Sequence, residues 1–378
     1  MRLLLISVFL LASPHVFAQQ PSPSVPAAPA IAAKSWLLLD FNSEQALVAN
    51  NAEQRIEPAS LTKLMTAYLV FAALKQKTIR ADQAVEVSER AWRAEGSRMF
   101  IQPRKPVTVD ELMRGMVVQS GNDACIALAE LVSGSEAAFA EAMNREAQRL
   151  GLKNTHFANS TGLPHSQHYS TAQDLALLAA AVIRDFPEYY PLYSQKQFRY
   201  NNITQANRNR LLWTDPTVDG MKTGYTENAG YCLISSARRG ERRLISVVLG
   251  AGSESARAAE SQKLLNHGFQ SYEGVRLYAK NQPVTTLRVW KGAVNSVKAG
   301  FARDFYLALP KGSSGKLKAS IDSLQPMLAP LRSGQKVATL KLTLDGRPYG
   351  EFPVVALEDV PPAGIFGRGW DALRLLFQ

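Results

Sequence analysis

The sequence predicts an α+β fold built on one antiparallel sheet with helical clusters, followed by a small all-β domain and a C-terminal amphipathic helix. Three observations predict it. Short strand-like runs near Ser35 lead into a helical tract from Thr108 to about Ala180, and strands and one more helix return before Tyr272. Past Tyr272 the chain is short strands separated by turn residues, until a bulky apolar segment at the end. The 378 residues, 46% hydrophobic and 20% charged, suffice for two cored domains.

The elements follow in chain order. "MRLLLISVFLLASPHVFA", residues 1–18, has an early arginine, a short apolar run and small residues at Val16 and Ala18, which predicts a secretory signal peptide cut after Ala18. Its run is too short to span a bilayer. Residues 19–34 form a Pro/Ala-rich linker, and residues 35–272 form the first domain. "WLLLDF" and "ALVAN", joined by "NSEQ", predict a hairpin.

In "PASLTKLMTAYLV", residues 58–70, Leu61, Leu64, Met65, Tyr68 and Leu69 share one helical face, and Ser60 stands where an N-cap would. "VDELMRGMVVQS", "NDACIALAELVSGS", "EAAFAEAMNREAQRLG" and "TAQDLALLAAAVIRDF" predict further helices, the third capped at Gly151. "MKTGYTENAGYCLISSARRG" and "RRLISVVLGAG" read as strands, and "SARAAESQKLLNHGF" as a helix. Residues 273–363 predict the all-β domain. There the leucines of "TLKLTLDG" alternate with polar residues, and Asp345-Gly346 marks a hairpin turn. Residues 364–378 place Phe366, Trp370, Leu373 and Phe377 apart from Arg368, Asp371 and Arg374. That predicts a helix lying in a membrane interface; the alternative is a terminal helix packed on the β domain.

Composition narrows the function. The formal net charge is +11. For an exported chain the matching partners are anionic membrane surfaces and acidic wall polymers. No basic run with interleaved aromatics suggests nucleic acid. Cys125 and Cys232 are expected as buried thiols, with a disulfide as the alternative. Neither they nor the five scattered histidines have metal-site spacing, so no metal and no cofactor are expected.

Three short patterns carry chemistry. Ser60-x-x-Lys63 sits at a helix start, Ser120-Gly121-Asn122 at a break between helical stretches, and Lys222-Thr223-Gly224 in a strand-like run. Ser-x-x-Lys alone is weak: "SSGK", Ser313 to Lys316, repeats it in a Gly/Ser-rich turn. Alone, Ser60 could be a cap beside a chance lysine or a nucleophile beside its base. The order of all three patterns is that of penicillin-binding proteins and class A β-lactamases. A serine hydroxyl must lose its proton as it attacks, and no histidine is near Ser60 in sequence. Lys63 can accept that proton if burial and a second cation lower its pKa, and Lys222 can be that cation. Ser120 can relay a proton to the leaving amine, and Asn122 can hold the substrate amide and the lysine. Lys222, Thr223 and Gly224 can meet a carboxylate, and the strand can pair with an extended peptide. The N–H groups of Ser60 and Tyr225 can form an oxyanion hole.

On these motifs, and on "GLKNTHFANSTGL", "YSTAQDLALLA", "NRNRLLW", "VDGMKTGYTENAGYCLISSA" and "AESQKLLNHGF", the chain resembles the D-alanyl-D-alanine carboxypeptidases of the low-molecular-mass penicillin-binding proteins. The likeness is to the type with a C-terminal β domain and an anchoring helix, and it runs from about Ser35 to the end. It implies a β-lactamase/transpeptidase-like first domain. The implied reaction is removal of the terminal D-alanine from peptidoglycan pentapeptide through an acyl-enzyme on Ser60, with Lys63 as base and Lys222 binding substrate. β-Lactam antibiotics are the implied covalent inhibitors. The implied location is the periplasmic side of the inner membrane. Arg208 in "NRN" and Arg257 in "SARAAES" match cleft arginines, as carboxylate contacts or supports; the plainer reading is a surface ion pair. Tyr225 stands where close relatives often have histidine, and "AWRAEGSRMFIQ" is shorter than in some relatives. The rival functions are a serine β-lactamase, a DD-endopeptidase and a non-catalytic wall-binding protein. No Glu-x-x-Leu-Asn occurs to support the first.

Overall fold

The computed structural model describes residues 26–375. The expected signal peptide, the first part of the linker, and Phe377 at the end of the expected C-terminal helix lie outside them. The first sheet contains β1 (Ser35–Asp40), β2 (Gln45–Asn50), β3 (Val218–Thr226), β4 (Gly230–Arg239) and β5 (Arg242–Ala251), in the order β2-β1-β5-β4-β3. All its pairings are antiparallel. Strand β3 is therefore an edge, with one side free of any strand partner in the sheet.

Every residue of β1 is buried. Leu37 and Leu39 join one core, and Trp36 and Leu38 join another on the opposite face. This two-sided burial is why "SWLLLD" reads as a continuous apolar run. On one face lie α1 (Lys63–Lys75), α2 (Asn122–Ser133), α3 (Glu136–Arg149) and α4 (Ala172–Asp185); on the other lies α5 (Glu254–Ser271).

Two helix readings need correction. The spacing in residues 58–70 predicted one buried stripe on α1. Thr66, Ala67, Val70 and Phe71 are buried too, while Leu69 is only half-buried. The helix runs through the cluster, so nearly all of its surface is covered. The helical tract is also interrupted between α3 and α4, where residues 152–171 form a loop with turns. Asn159, Gly162 and Pro164 are residue types there that disfavour a continued helix. A hairpin, Gln197–Tyr200 with Ile203–Ala206, was not expected. Its signal was Asn201-Asn202 between β-forming residues, and both asparagines have positive φ.

After β6 (Tyr272–Tyr278), β7 (Pro283–Arg288) and β8 (Ser296–Gly300) come β9 (Phe305–Pro310), β10 (Leu317–Ser323), β11 (Lys336–Leu344) and β12 (Arg347–Ala356). Strands β7-β8-β12-β11-β10 form a second sheet, and β6 pairs with β9. Leu340, Leu342 and Leu344 all enter its core, as their alternation requires. Asp345 and Gly346 both have positive φ, matching the tight hairpin turn. The last described helix, α6 (Ile365–Leu375), leaves Ile365, Phe366, Trp370 and Leu373 exposed. No described helix is long and apolar enough to cross a membrane. Cys125 and Cys232 are buried free thiols.

Side-chain contacts also tie the first sheet to the start of β6. Arg242 on β5 donates to Asp40 at 2.8 Å and to the carbonyls of Gly268 (3.0 Å) and Tyr272 (2.6 Å), where α5 turns into β6. Asp40 is 1% exposed, so deleting its carboxylate strands a mostly buried guanidinium. Asp40→Ala is expected to cost about 3 kcal/mol of stability in urea unfolding. A loss under about 1 kcal/mol would show that the two carbonyls alone satisfy Arg242.

Candidate active site

Ser60 lies in a 3-10 turn, Ala59–Thr62, and the α-helix begins only at Lys63. Ser60 makes no side-chain cap, so the N-cap reading is corrected: its hydroxyl stays available. Ala59, next to it, is held at φ 49°. Left-handed backbone at a non-glycine residue is strained, and its neighbours hold it there. Gly162 packs so closely that a Cβ would come within 1.8 Å of the Ala59 carbonyl. Gly224 on β3 packs on the other side, where a Cβ would meet the Pro58 carbonyl at 3.1 Å and the Ser60 nitrogen at 3.3 Å. Two glycines thus let a loop and an edge strand close on the serine turn.

The side chain of Lys63, 1% exposed, runs under that turn. Its Nζ lies 2.9 Å from Ser60 Oγ, 2.7 Å from Asn122 Oδ1 and 2.5 Å from the Thr161 carbonyl. Asn122 Nδ2 donates to the Glu95 carbonyl at 2.6 Å, which fixes the amide so that Oδ1 faces the lysine. These partners fit an ammonium, which donates three times. They fit the neutral amine equally well. Its two N–H groups keep Asn122 and Thr161, which can only accept here, and its lone pair is left facing Ser60, which alone can donate.

Burial is the main cause that brings the Lys63 pKa down to about 8. Arg208 adds to this, and Lys222 acts in the same direction, because the repulsion between two buried lysines is mutual. Burial first, and then the charge of Lys63, push the Lys222 pKa well below the ordinary value. Burial also pushes the nearby Cys125 thiol up to about 12, so it stays neutral.

Ser120 follows a π-helical turn, Gly115–Gln119, and sits at φ 68°, ψ 34°. Inserted turns of this kind re-aim the side chain that follows. Its Oγ accepts from Lys222 Nζ at 2.9 Å. Asp123 is buried, with its carboxylate accepting from the N–H groups of Met99 (3.0 Å), Phe100 (2.8 Å) and Ile101 (3.2 Å). That clamps the loop before α2 onto the Ser120 turn.

A cleft of about 620 Å³ opens over these groups, lined by Ser60, Ser120, Asn122, Thr223, Gly224 and Tyr225 among others. Lys222 lies buried behind Thr223, which is 6% exposed, while Tyr225 is half-exposed with its ring 4.5 Å from that of Tyr231. Arg208 and Arg257 both line the cleft. Arg257 is 5% exposed, donates to the Gly224 carbonyl at 3.3 Å and lies 3.7 Å from Glu254, so it braces β3. All ten sequence-derived residues therefore meet at one place, whereas Ser313 begins a 3-10 turn of the second sheet, far along the chain from a matching wall.

The family pattern for D-alanyl-D-alanine carboxypeptidase, Peptidase_S11, matches residues 22–253. The chain belongs to that family. The pattern for the penicillin-binding protein 5 C-terminal domain matches residues 272–362. The chain is 43% identical over 381 aligned positions to D-alanyl-D-alanine carboxypeptidase DacC of Escherichia coli (strain K12), covering 98% of this chain and 94% of that one. Its fold is similar to penicillin binding protein 5 from Haemophilus influenzae, with TM-score 0.85, 42% identity, and coverage of 89% and 99% of the two chains. It is also similar to the ampicillin-bound penicillin-binding protein D2 of Listeria monocytogenes, with TM-score 0.59, 32% identity, and coverage of 63% and 98%.

Sequence reasoning missed Thr161, because it contributes a backbone carbonyl, which any residue carries. It missed Gly162 as well, although a glycine after turn-forming Asn159 and Ser160 was a visible signal. Asn159 Oδ1 accepts from the N–H groups of Thr161 (3.2 Å) and Gly162 (2.7 Å), shaping the loop that presents the carbonyl. His168 was also overlooked: it is buried, with Nε2 2.8 Å from Thr62 Oγ1, and burial brings its pKa down to about 4.

If neutral Lys63 takes the serine proton, the reactive fraction grows with pH until Lys63 has titrated. Penicillin acylation should rise about tenfold per unit below the Lys63 pKa of about 8 and level off above it. A flat profile from about pH 6 to 8, followed in stopped flow, would remove Lys63 as the base.

Proposed function

We propose that the chain is a serine-type D-Ala-D-Ala carboxypeptidase that removes the terminal D-alanine of peptidoglycan pentapeptide through an acyl-enzyme on Ser60. One observation carries this reading: Ser60 Oγ is 2.9 Å from a buried lysine whose other two contacts can only accept. Lys63 takes the proton of Ser60 as it attacks the penultimate carbonyl. The N–H groups of Ser60 and Tyr225 receive the developing oxyanion. Ser120 delivers a proton to the leaving D-alanine amine and regains one at the expense of Lys63, which returns to the neutral amine, while Lys222 holds the Ser120 hydroxyl in place. Thr223 and Arg208 face the terminal carboxylate, Lys222 adds its charge from behind Thr223, and Arg257 holds the strand. Asn122 keeps Lys63 in place, and β3, an unpaired edge, receives the extended peptide. Water then hydrolyses the ester. The reaction uses side chains and backbone alone, with no cofactor.

A β-lactam would acylate Ser60 by the same attack. Among the described residues, the carboxylate lining the cleft is Glu254, and it is engaged by Arg210 at 3.3 Å and Arg257 at 3.7 Å. That favours a slowly hydrolysed adduct over a β-lactamase, which needs a carboxylate-held water.

We read residues 1–18 as a signal peptide, 19–34 as linker, 35–272 as the catalytic domain, 273–363 as the β domain and 364–378 as an anchor. The exposed Ile365, Phe366, Trp370 and Leu373 of α6 support the last reading. They would hold the enzyme on the anionic periplasmic face of the inner membrane.

Wild type should release D-alanine from a peptide ending in D-Ala-D-Ala and form a stoichiometric penicillin adduct on the Ser60 peptide. Ser60→Ala should do neither, while Ser313→Ala should behave as wild type. Equal release by wild type and Ser60→Ala would sink the nucleophile assignment. A chain ending at Gly364 should move from the membrane to the soluble fraction. If it stays with the membrane, α6 is not the anchor.

A further inference from the structure

The cleft carries more positive charge than the chemistry at Ser60 employs. Arg98 lines it and is exposed to it, and no ion-pair partner holds its guanidinium among the described residues. The position is nevertheless built. The guanidinium rests over the Phe100 ring at 5.4 Å. The Arg98 carbonyl accepts from Gln205 Nε2 at 3.0 Å, and the next three N–H groups are gripped by Asp123. The backbone that presents Arg98 is therefore fixed on both sides. The Ser97 carbonyl accepts from Asn122 N–H at 2.6 Å, so this loop rests on the Ser120–Asn122 turn, the wall across the cleft from β3.

We propose that Arg98 is a specificity residue that reads an acidic side chain on the residue immediately before the terminal D-Ala-D-Ala pair. The proposal rests on the carboxypeptidase reading above. A peptide laid along edge strand β3 points alternate side chains toward and away from neighbouring walls. The terminal carboxylate is met by Thr223 on β3 and by Arg208. A second carboxylate, upstream of the bond that breaks, has Arg98 to meet it on the opposite wall. Arginine suits this task because its planar fork binds a carboxylate through two parallel N–H donors. A free arginine held in place on an aromatic ring loses little freedom when it does so.

The test uses acetylated tripeptides, Xaa-D-Ala-D-Ala, with Xaa glutamate, glutamine or lysine, and D-alanine release as readout. Active protein is counted by penicillin labelling in every variant. Wild type should favour the glutamate over the glutamine peptide by about fivefold in kcat/KM at low salt, as one exposed ion pair allows. That preference should shrink as ionic strength rises. In Arg98→Gln the ratio should fall to about one. In Arg98→Glu it should invert, and the lysine peptide should become the best of the three. Identical glutamate-to-glutamine ratios in all three proteins would overturn the role of Arg98. Release of D-alanine from none of the peptides by wild type would overturn the carboxypeptidase reading and this proposal with it.

Discussion

The arrangement depends on one buried amine that lacks a carboxylate partner. A lysine this deep in a protein is costly as an ammonium unless an anion pairs with it. Lys63 instead has a hydroxyl, an amide oxygen and a backbone carbonyl. Those oxygens satisfy its hydrogens without cancelling its charge, which leaves burial free to lower its pKa to about 8. A carboxylate in the same place would stabilise the ammonium and remove the base. Glu136 and Asp123 are near enough to raise the Lys63 pKa somewhat, but each is spent elsewhere. Glu136 accepts from Ser160 N–H and Oγ, and Asp123 accepts from the loop before α2.

Holding oxygens around an amine requires three chain segments to converge within a few ångströms. The scaffold achieves this with unusual backbone rather than with large side chains. Ala59 and Ser120 lie in left-handed conformations, and Gly162 and Gly224 remove the Cβ atoms that would keep the loop and β3 away. Strain of this kind persists where the surroundings over-determine it. Here the surroundings are a helix buried on nearly every side and a sheet buried on both faces. The rigid core and the strained site are two parts of one device.

Much of this was legible in the sequence. The order of Ser60-x-x-Lys63, Ser120-x-Asn122 and Lys222-Thr223-Gly224 located the side chains that hydrogen-bond the two lysines and Ser60, because each acts through its own functional group. Strands β11 and β12 were legible because leucine alternation and Asp345-Gly346 obey period-2 rules, whereas β8 carried no such pattern. The Thr161 carbonyl was not, because a backbone oxygen has no residue signature. The all-round burial of α1 was not, because periodicity reports a stripe only when one side meets water.

The sequence by itself determined the chemical inventory: a serine, two lysines and their polar partners, and two structural units with different periodicities. The tertiary structure decided what the inventory is for. It set Ser60 in a 3-10 turn before the helix rather than at its cap, and it lowered the Lys63 pKa by burying the amine without a counterion. It also brought Arg208 close enough to lower the Lys63 pKa further, and left Arg98 in the cleft with no ion-pair partner among the described residues. Proton affinity depends on dielectric and on through-space charge, and these are properties of where atoms sit after folding, which no residue pattern contains.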